Sequence, residues 1–252
     1  MSNEVDILLY LLAVKPRLPK RRSAIETEKT SPEENPRLRI LLVDDHPIVL
    51  QGLTQVVNHS PNLIVCGQAL NAEQALPAVE QLKPDLVIVD ISLRGTGGLD
   101  LIKTLGDRQP HLPVLVLSMH DESLYAERAI RAGARGYIMK EEATEKLLSA
   151  IHRVLEGEVY LSEKMSRKLL SQLVSRRRSK EGSPIDVLSD RELEVFQLIG
   201  QGYSTRQIAE RLSVSGKTVE SHREHIKDKL KLRNATELMQ HAFQWVQSLN
   251  SK

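Results

Sequence analysis

The apolar positions along the chain follow two different periodic patterns. Between residues 37 and 157, five short apolar runs alternate with longer amphipathic stretches. Runs that are apolar on both faces, separated by helix-like segments, predict a parallel sheet with helices packed on both sides. We therefore expect an α/β domain that is doubly wound around a five-stranded parallel sheet. The apolar runs occupy residues 39–43, 63–67, 86–89, 114–117 and 136–139.

After residue 157 the pattern contains only helical periodicity. Residues 161–178 predict one helix that ends in a basic run, and the remainder predicts a small all-α domain of four helices. Polar residues with short side chains stand where helix N-caps belong, and one of them is followed three residues later by Glu192, which makes a capping-box pattern. These N-cap positions are Ser189, Ser204, Ser215 and Asn234.

These patterns divide the chain into four parts. They are an N-terminal extension (1–37), the α/β domain (38–157), a linker helix with a basic linker (158–184) and the helical domain (185–252). The extension contains an apolar stretch at residues 5–14, about half of the roughly 20 residues that span a bilayer. Basic residues follow this stretch rather than precede it, unlike in a signal peptide. We interpret it as an extension outside the main fold or as a short amphipathic helix that docks onto a partner or onto the protein itself, and we expect no membrane partner.

Composition excludes several classes of protein. The formal net charge of +2 is close to neutral, so any basic surface must be local. Cys66 is the only cysteine, which excludes an intramolecular disulfide framework and fits the reducing cytoplasm. An aromatic content of 3% disfavours stacking on single-stranded nucleic acid.

Ionisable and polar side chains follow the predicted strands at the points where the strands end. Asp44 and Asp45 follow the first run, Asp90 the third, Ser118 the fourth and Lys140 the fifth. In an open α/β sheet these ends share one edge, where ligands bind. Clustered carboxylates repel one another, and Mg²⁺ with oxygen ligands suits them. The added lysine and hydroxyl indicate that the metal shares its site with a phosphoryl group.

Each of these residues also has a purely structural interpretation. Asp45 could cap the helix that begins near Pro47, and Lys140 could be a solvated strand end. A metal-dependent phosphatase with an aspartyl nucleophile is an alternative for the whole cluster. Such enzymes usually carry a second catalytic aspartate two residues after the nucleophile, where this chain has Ser92, and no extra substrate domain is evident.

The segments LLVDDHP, VIVDISL, VLS and YIMK resemble the receiver domain of two-component response regulators, which has a flavodoxin-like fold. The resemblance implies that Asp90 is the phosphoacceptor, which attacks the phosphohistidine of a sensor histidine kinase. It also implies that Asp44, Asp45 and Asp90 hold Mg²⁺ together with the backbone carbonyl of Ser92.

The same resemblance implies how the domain responds to phosphorylation. Lys140 pairs with the phosphoryl oxygens, the hydroxyl of Ser118 moves to bond one of them, and Tyr137 is the aromatic rotamer switch. Glu141 follows Lys140 where many receivers have a proline, which is a departure from the pattern.

The helical domain carries a second resemblance. The segment from LSDRELEVFQLIGQG to TVESHREHIKDKL is similar to the LuxR-type helix-turn-helix domain, and this order of domains is that of NarL/FixJ-type response regulators. A small helical bundle that makes protein contacts is the alternative. The second helix of a helix-turn-helix motif enters the major groove of DNA.

The expected recognition helix holds several carboxylates on the side it offers to DNA. Val219, Ile226 and Leu230 form its buried stripe, so its outer face carries both acidic and polar residues. The resemblance places base contacts at Glu220, Ser221 and Glu224, and a glutamate can accept a hydrogen bond from cytosine N4. Basic residues of the domain are the candidates for phosphate contacts. The basic linker residues Arg176, Arg177 and Arg178 are further candidates. The expected DNA-contacting residues are Arg206, Lys217, Thr218, Glu220, Ser221, Arg223, Glu224, Lys227 and Lys231.

The sequence thus predicts a cytoplasmic, phosphorylation-dependent transcriptional regulator rather than an enzyme. Its expected partners are a sensor histidine kinase and double-stranded promoter DNA, with RNA polymerase as a further candidate. Because the charge of the helical domain is close to balance, a monomer should bind DNA weakly, which favours a homodimer.

Overall fold

A computed structural model describes residues 37–93, 97–175 and 184–250. The predicted N-terminal extension, apart from its last residue, and the basic residues Arg176, Arg177 and Arg178 lie outside the described residues.

The expected five-stranded parallel sheet is confirmed. Its strands stand in the order β2-β1-β3-β4-β5, and every neighbouring pair is parallel. This order reverses between β1 and β3, which places the topological switch point at the carboxyl ends of these two strands. The strands are β1 (Leu38–Val43), β2 (Leu63–Ala69), β3 (Leu86–Val89), β4 (Val114–Ser118) and β5 (Gly136–Met139).

Helices cover both faces of the sheet. On one face, residues of α1 and α5, such as Leu53 and Ile151, pack with Ile40, Leu42 and Ile88 of the strands. The strand residues between these positions point to the other face, where α2, α3 and α4 pack. The five helices are α1 (Pro47–Asn58), α2 (Ala72–Leu82), α3 (Gly98–Arg108), α4 (Glu122–Ala132) and α5 (Ala143–Leu155). The domain is therefore doubly wound, as expected.

The rest of the described chain is helical. The linker helix is α6 (Glu163–Ser175), and the short 3₁₀ turn Pro184–Val187 precedes the C-terminal domain. The four helices of that domain are α7 (Asp190–Gly200), α8 (Thr205–Leu212), α9 (Gly216–Leu230) and α10 (Ala235–Asn250).

The predicted N-caps of these helices are present. The side chains of Ser189, Ser204 and Ser215 accept hydrogen bonds from backbone N–H groups in the first turns of α7, α8 and α9. The Oδ1 of Asn234 accepts one from the N–H of Glu237, at 2.9 Å. The capping box of Ser189 with Glu192 is confirmed, and a second box that the sequence analysis missed joins Ser204 to Gln207. Each cap satisfies backbone donors that would otherwise lack a helical partner.

The position of α9 is fixed by apolar burial and by one ion pair to α7. Val219 and Ile226 are fully buried, and Leu230 is half-buried against the same core. The Nζ of Lys229 lies 2.6 Å from a carboxylate oxygen of Glu192. The buried stripe predicted for this helix is thus confirmed, and the opposite face is left exposed.

Among the helices that the structure describes, none is both long and apolar enough to cross a bilayer.

Gly98, at the start of α3, allows a close approach of backbone to backbone beside the end of β3. Its N–H donates to the carbonyl of Ile91 at 3.0 Å, and a Cβ atom there would lie 2.1 Å from the carbonyl oxygen of Asp90. A side chain at this position must therefore displace the backbone that carries Asp90.

We expect Gly98→Ala to lower the free energy of unfolding by about 1–3 kcal/mol or more, because the new methyl group overpacks a site bounded by backbone. Gly97→Ala is the matched control, since a Cβ atom there meets nothing within 4 Å. Urea denaturation followed by circular dichroism would compare the two variants. Equal stabilities would show that the backbone beside Asp90 yields easily.

Candidate functional site

Four strands deliver their terminal residues to one edge of the sheet, as the sequence predicts. Asp44 follows β1, Asp90 follows β3, Ser118 ends β4 and Lys140 follows β5. All four are buried, with at most 6% of the surface exposed. Their position coincides with the switch point between β1 and β3.

Lys140 is the centre of this group. Its ammonium lies 2.6 Å from an oxygen of Asp44 and 2.8 Å from an oxygen of Asp90. Burial alone would lower the pKa of Lys140, but the charges of Asp90 and Asp44 raise it above its ordinary value. Lys140 is therefore a charged partner of both carboxylates and is not a solvated strand end.

The two carboxylates differ in their electrostatic environment. Burial would raise the pKa of Asp44, but hydrogen bonds from His46 and the charge of Lys140 outweigh burial and lower it. Burial raises the pKa of Asp90, and the charge of Lys140 does not fully offset this effect. Because burial outweighs the charge of Lys140 at Asp90, an additional cation would stabilise the ionised form of Asp90.

Asp45 and His46 extend the cluster. Ligand atoms of Asp44, Asp45, His46 and Asp90 all lie within 4.8 Å of one another. The Nδ1 atom of His46 lies 2.9 Å from Asp45 and 3.2 Å from Asp44. The hydrogen bond to Asp44 raises the pKa of His46 although burial opposes it, and the charge of Asp45 adds to the effect. The N-cap of α1 is His46 without a side-chain cap, so Asp45 is not the helix cap that its sequence position allowed.

Ser92 lies in the turn after β3, two residues beyond Asp90. Its backbone N–H donates to a carboxylate oxygen of Asp90 at 3.1 Å, which helps to orient that side chain. Its hydroxyl lies 3.1 Å from the Nε2 atom of His120. Residues 94–96, which follow in the same loop, lie outside the described residues.

A second group of contacts surrounds Ser118. The N–H of His120 donates to the hydroxyl oxygen of Ser118 at 3.1 Å, and the hydroxyl of Tyr137 donates to the carbonyl of His120 at 2.7 Å. Tyr137 is buried, with its ring turned toward the domain interior. Ser118 and Tyr137, the predicted switch residues, are thus both hydrogen-bonded to the backbone of His120.

His120 is a central residue that the sequence analysis did not identify. Its ring stacks on Tyr125 with 4.5 Å between ring centroids. Burial and the charge of Lys140 lower its pKa to about 4, so its imidazole is neutral at pH 7. Nothing in the local pattern distinguishes His120 from an ordinary loop residue, because its partners come from four separate segments.

In the C-terminal domain, α8 and α9 form the helix-turn-helix pair, and the predicted DNA-contacting residues belong to these two helices and to the residue after α9. Lys217, Glu220, Ser221, Glu224 and Lys231 are exposed. Thr218, Arg223 and Lys227 are half-buried, and Arg206 on α8 is exposed. The structure therefore leaves six of the nine residues exposed and the other three half-buried.

The carboxylates on this face have partners within the domain. Glu220 accepts a hydrogen bond from the hydroxyl of Thr205 at 2.7 Å, and Glu224 lies 2.9 Å from the Nζ of Lys227. Arg206 is paired with Glu210 on its own helix at 3.0 Å. Within the described part of the chain, Lys217 and Lys231 form no ion pair. Of the cations among the nine predicted residues, these two lysines are thus the most available to a phosphate.

Comparisons with known proteins agree with both halves of the structure. The family model described as the response regulator receiver domain matches residues 40–152, and that of bacterial regulatory proteins of the luxR family matches residues 186–242. The oxygen regulatory protein NreC of Staphylococcus haemolyticus is 36% identical over 209 residues, which cover 81% of this chain and 96% of that protein.

Two solved structures of the regulator RcsB are also similar. One, from Salmonella enterica serovar Typhimurium, is bound to promoter rprA in the presence of the phosphomimetic BeF₃⁻. It is 25% identical with a TM-score of 0.53 and covers 82% of this chain and 98% of its own. The other contains two RcsB dimers bound to two parallel DNAs. It is 26% identical with a TM-score of 0.51 and covers 81% of this chain and 97% of its own.

The family consists of DNA-binding regulators and not of enzymes, in agreement with the sequence analysis. From the order of its two domains and the extent of these similarities, the chain belongs to the two-component response regulators of the NarL/FixJ type, in which a receiver domain precedes a LuxR-type DNA-binding domain.

Proposed function

We propose that Asp90 accepts a phosphoryl group from a sensor histidine kinase and that this modification controls promoter binding by the C-terminal helix-turn-helix. The observation that carries the proposal is the buried group at the switch point, in which Lys140 contacts both Asp44 and Asp90. We assign the receiver to residues 38–157, the linker to 158–184 and the DNA-binding domain to 185–252.

The reaction needs a nucleophile and compensation for added charge. A carboxylate oxygen of Asp90 forms a bond to phosphorus while the bond from phosphorus to the kinase histidine breaks, so the phosphoryl group is transferred whole. Asp44, Asp45, Asp90 and the carbonyl of Ser92 would hold Mg²⁺. Three carboxylates that converge within 4.8 Å form an oxygen donor set of the kind this ion requires. When bound, Mg²⁺ supplies positive charge to the oxygens of the transferring group.

The phosphorylated state requires new contacts from the protein. The added group brings close to two negative charges and several acceptor oxygens. Lys140 is held within reach of Asp90, and the hydroxyl of Ser118 lies at the end of the adjacent strand. Both can satisfy these oxygens only by changing their present contacts, which for Ser118 include the N–H of His120. The change at Asp90 is thereby transmitted to the loop before α4 and to Tyr137.

We expect Asp90→Asn to abolish phosphoryl uptake from acetyl phosphate, because an amide lacks the nucleophilic carboxylate oxygen. The fold should persist, since Lys140 keeps its contact with Asp44. Intact-protein mass spectrometry would measure the modification, with Asp107→Asn, an exposed carboxylate of the same domain, as the control. Full modification of the Asp90→Asn protein would place the phosphoacceptor elsewhere.

We expect Asp45→Asn to raise the Mg²⁺ concentration needed for half-maximal phosphorylation by at least about tenfold, because one charged ligand is lost. Chelation of the metal should stop modification of the unaltered protein. Glu141→Gln is the matched control, since it removes an exposed carboxylate from the same edge of the sheet. An unchanged Mg²⁺ requirement in the Asp45 variant would exclude this residue from the metal site.

For the C-terminal domain we propose that α9 enters the major groove, with Glu220, Ser221 and Glu224 facing base edges. Lys217, Thr218, Arg223, Lys227, Lys231 and Arg206 would lie near the backbone phosphates. The LuxR-type family match and the DNA-bound RcsB structures support this orientation. The dimers in the RcsB structure support binding as a homodimer. We place this function in the cytoplasm, where promoter DNA is accessible, and retain RNA polymerase as a candidate partner.

The carboxylates and the lysines of α9 should contribute differently to binding. Lys217→Ala should weaken binding to all sequences and lower the slope of log affinity against log salt by about 1. Glu220→Ala or Glu224→Ala should change the preferred sequence more than the nonspecific affinity, because a glutamate can accept from cytosine N4 and repels phosphates. Selection from random duplexes and fluorescence anisotropy at several salt concentrations would measure both effects.

Glu80→Ala, which removes an exposed carboxylate of the receiver, is the control for these variants. If the preferred sequence survives the loss of Glu220 and of Glu224, these side chains serve only their internal partners, Thr205 and Lys227. The central test of the proposed function is the same selection with and without beryllofluoride. Failure to enrich any sequence in either state would refute it.

A further inference from the structure

Glu220 on α9 is bonded to the neighbouring helix of the helix-turn-helix pair. The hydroxyl of Thr205, the first residue of α8, donates to one carboxylate oxygen of Glu220 at 2.7 Å. The other carboxylate oxygen lies 3.7 Å from the guanidinium of Arg223, one turn along α9. Because 3.7 Å is too long for a hydrogen bond, Thr205 holds the carboxylate more firmly than Arg223 does.

Both ends of this hydrogen bond stand on backbone whose position is fixed. Thr205 follows the N-cap Ser204, whose capping box with Gln207 orders the first turn of α8. Glu220 follows Val219, which is fully buried in the apolar core. The side chain of Thr205 is branched at Cβ, which restricts its rotamers. The hydroxyl therefore meets the carboxylate at a position that the packing of the two helices determines.

The bond to Thr205 restricts the carboxylate of Glu220 without covering it. The side chain of Glu220 is 55% exposed, whereas that of Arg223 is 16% exposed. An ionised carboxylate offers about four lone-pair sites to donors, and the Thr205 hydroxyl takes one of them. The other sites can accept from a base only in the directions that this bond leaves open.

Glu224, the other carboxylate proposed to face the bases, is held differently. Its partner is the ammonium of Lys227, which lies 2.9 Å away on the same helix. A lysine has a flexible stem of four carbons, so its ammonium can follow a carboxylate that moves. The hydroxyl of Thr205 cannot follow Glu220 in this way, because a single carbon separates it from the backbone. Of the two carboxylates, Glu220 is therefore the one whose direction is fixed.

We propose that Thr205 is a positioning residue that makes Glu220 discriminate between bases. Held in one direction, the carboxylate accepts from the amino group of a well-placed cytosine and repels the acceptor atoms of a guanine or thymine in the same place. Without the Thr205 hydroxyl, Glu220 turns away from the wrong base and the repulsion is relieved. The inference rests on the proposed placement of α9 in the major groove, and it adds the residue that determines how strictly one base pair is recognised.

The decisive variant is Thr205→Val in the full chain, which removes the hydroxyl and keeps the shape of the side chain. Thr205→Ser restores the donor. Thr104→Val is the matched control, because the Thr104 hydroxyl donates within its own helix, to the carbonyl of Asp100 at 2.8 Å. Fluorescence anisotropy with Mg²⁺ and beryllofluoride measures the affinity for a duplex that the unaltered protein enriches from a random pool and for each of its single-base-pair variants. The base pair at which Glu220→Ala loses discrimination is assigned to Glu220.

Thr205→Val should bind the enriched duplex within about twofold of the unaltered protein, but it should bind duplexes with guanine or thymine in place of the assigned cytosine about 2- to 10-fold more tightly, a part of the roughly 5- to 150-fold that one mismatched base pair costs. The penalties at other base pairs and the slope of log affinity against log salt should not change, because no phosphate contact is lost. Thr205→Ser and Thr104→Val should keep the discrimination of the unaltered protein. In a Glu220→Ala background, Thr205→Val should have no further effect on the assigned base pair, because the side chain that it positions is absent.

Thr205→Ala, which also lacks the hydroxyl, covers the case in which Thr205→Val fails to fold. Unchanged penalties at the assigned base pair in these variants would overturn the inference. An equal loss of affinity for all duplexes would also overturn it, because Thr205 would then only support the fold of the domain.

A failure of this inference is distinguishable from a failure of the proposed function. If the unaltered protein enriches no duplex with or without beryllofluoride, the proposed function is wrong and the inference with it. If it enriches a duplex but Glu220→Ala changes no base preference, promoter binding stands and the role of Thr205 is overturned.

Discussion

The rest of the receiver depends on the buried ion pairs that the ammonium of Lys140 forms with Asp44 and Asp90. A buried charge without a partner costs several kcal/mol, so these three residues must remain together for the strand ends to pack. Asp45 adds a further carboxylate within the same cluster, which leaves an excess of negative charge that Lys140 alone cannot balance. The site is therefore stable as it stands but receptive to a divalent cation. Any further negative charge at Asp90 must be met by rearranging Lys140 and Ser118.

Much of this site could be predicted from sequence because a parallel sheet converts position along the chain into position in space. Each predicted strand ends at a known residue, and all strand ends share an edge, so Asp44, Asp90, Ser118 and Lys140 had to meet. The helix caps follow from equally local rules, since Ser189 and Glu192 satisfy each other's backbone groups within one turn. Apolar spacing likewise determined which side of α9 is buried. In each of these cases the relevant partners are near in sequence or related by strand order.

The remaining features depend on contacts that no local pattern encodes. Arg128 occupies a polar position on an amphipathic helix, where solvent exposure is the ordinary expectation, yet its partner Asp190 lies 62 residues away. His120 is a loop residue whose four neighbours belong to β4, β5, α4 and the turn after β3. The resemblance to receivers identified the hydroxyl and the aromatic residue but not the histidine backbone that joins them here. The role of His120 becomes visible only in the folded receiver, and that of Arg128 only when the two domains are placed against each other.

The carboxylates of α9 oppose DNA binding less than the sequence suggests, because they have partners within the domain. Glu220 accepts a hydrogen bond from Thr205, and Glu224 forms an ion pair with Lys227. Because these partners compensate part of the negative charge, the electrostatic cost of bringing α9 to DNA would be smaller than its composition suggests. In the proposed complex, a cytosine amino group would have to compete with these internal partners, so only a well-placed base would gain the contact. Under the proposed mode of binding, a domain whose charge is close to balance would hold DNA weakly as a monomer, so the pairing of two subunits would supply much of the affinity.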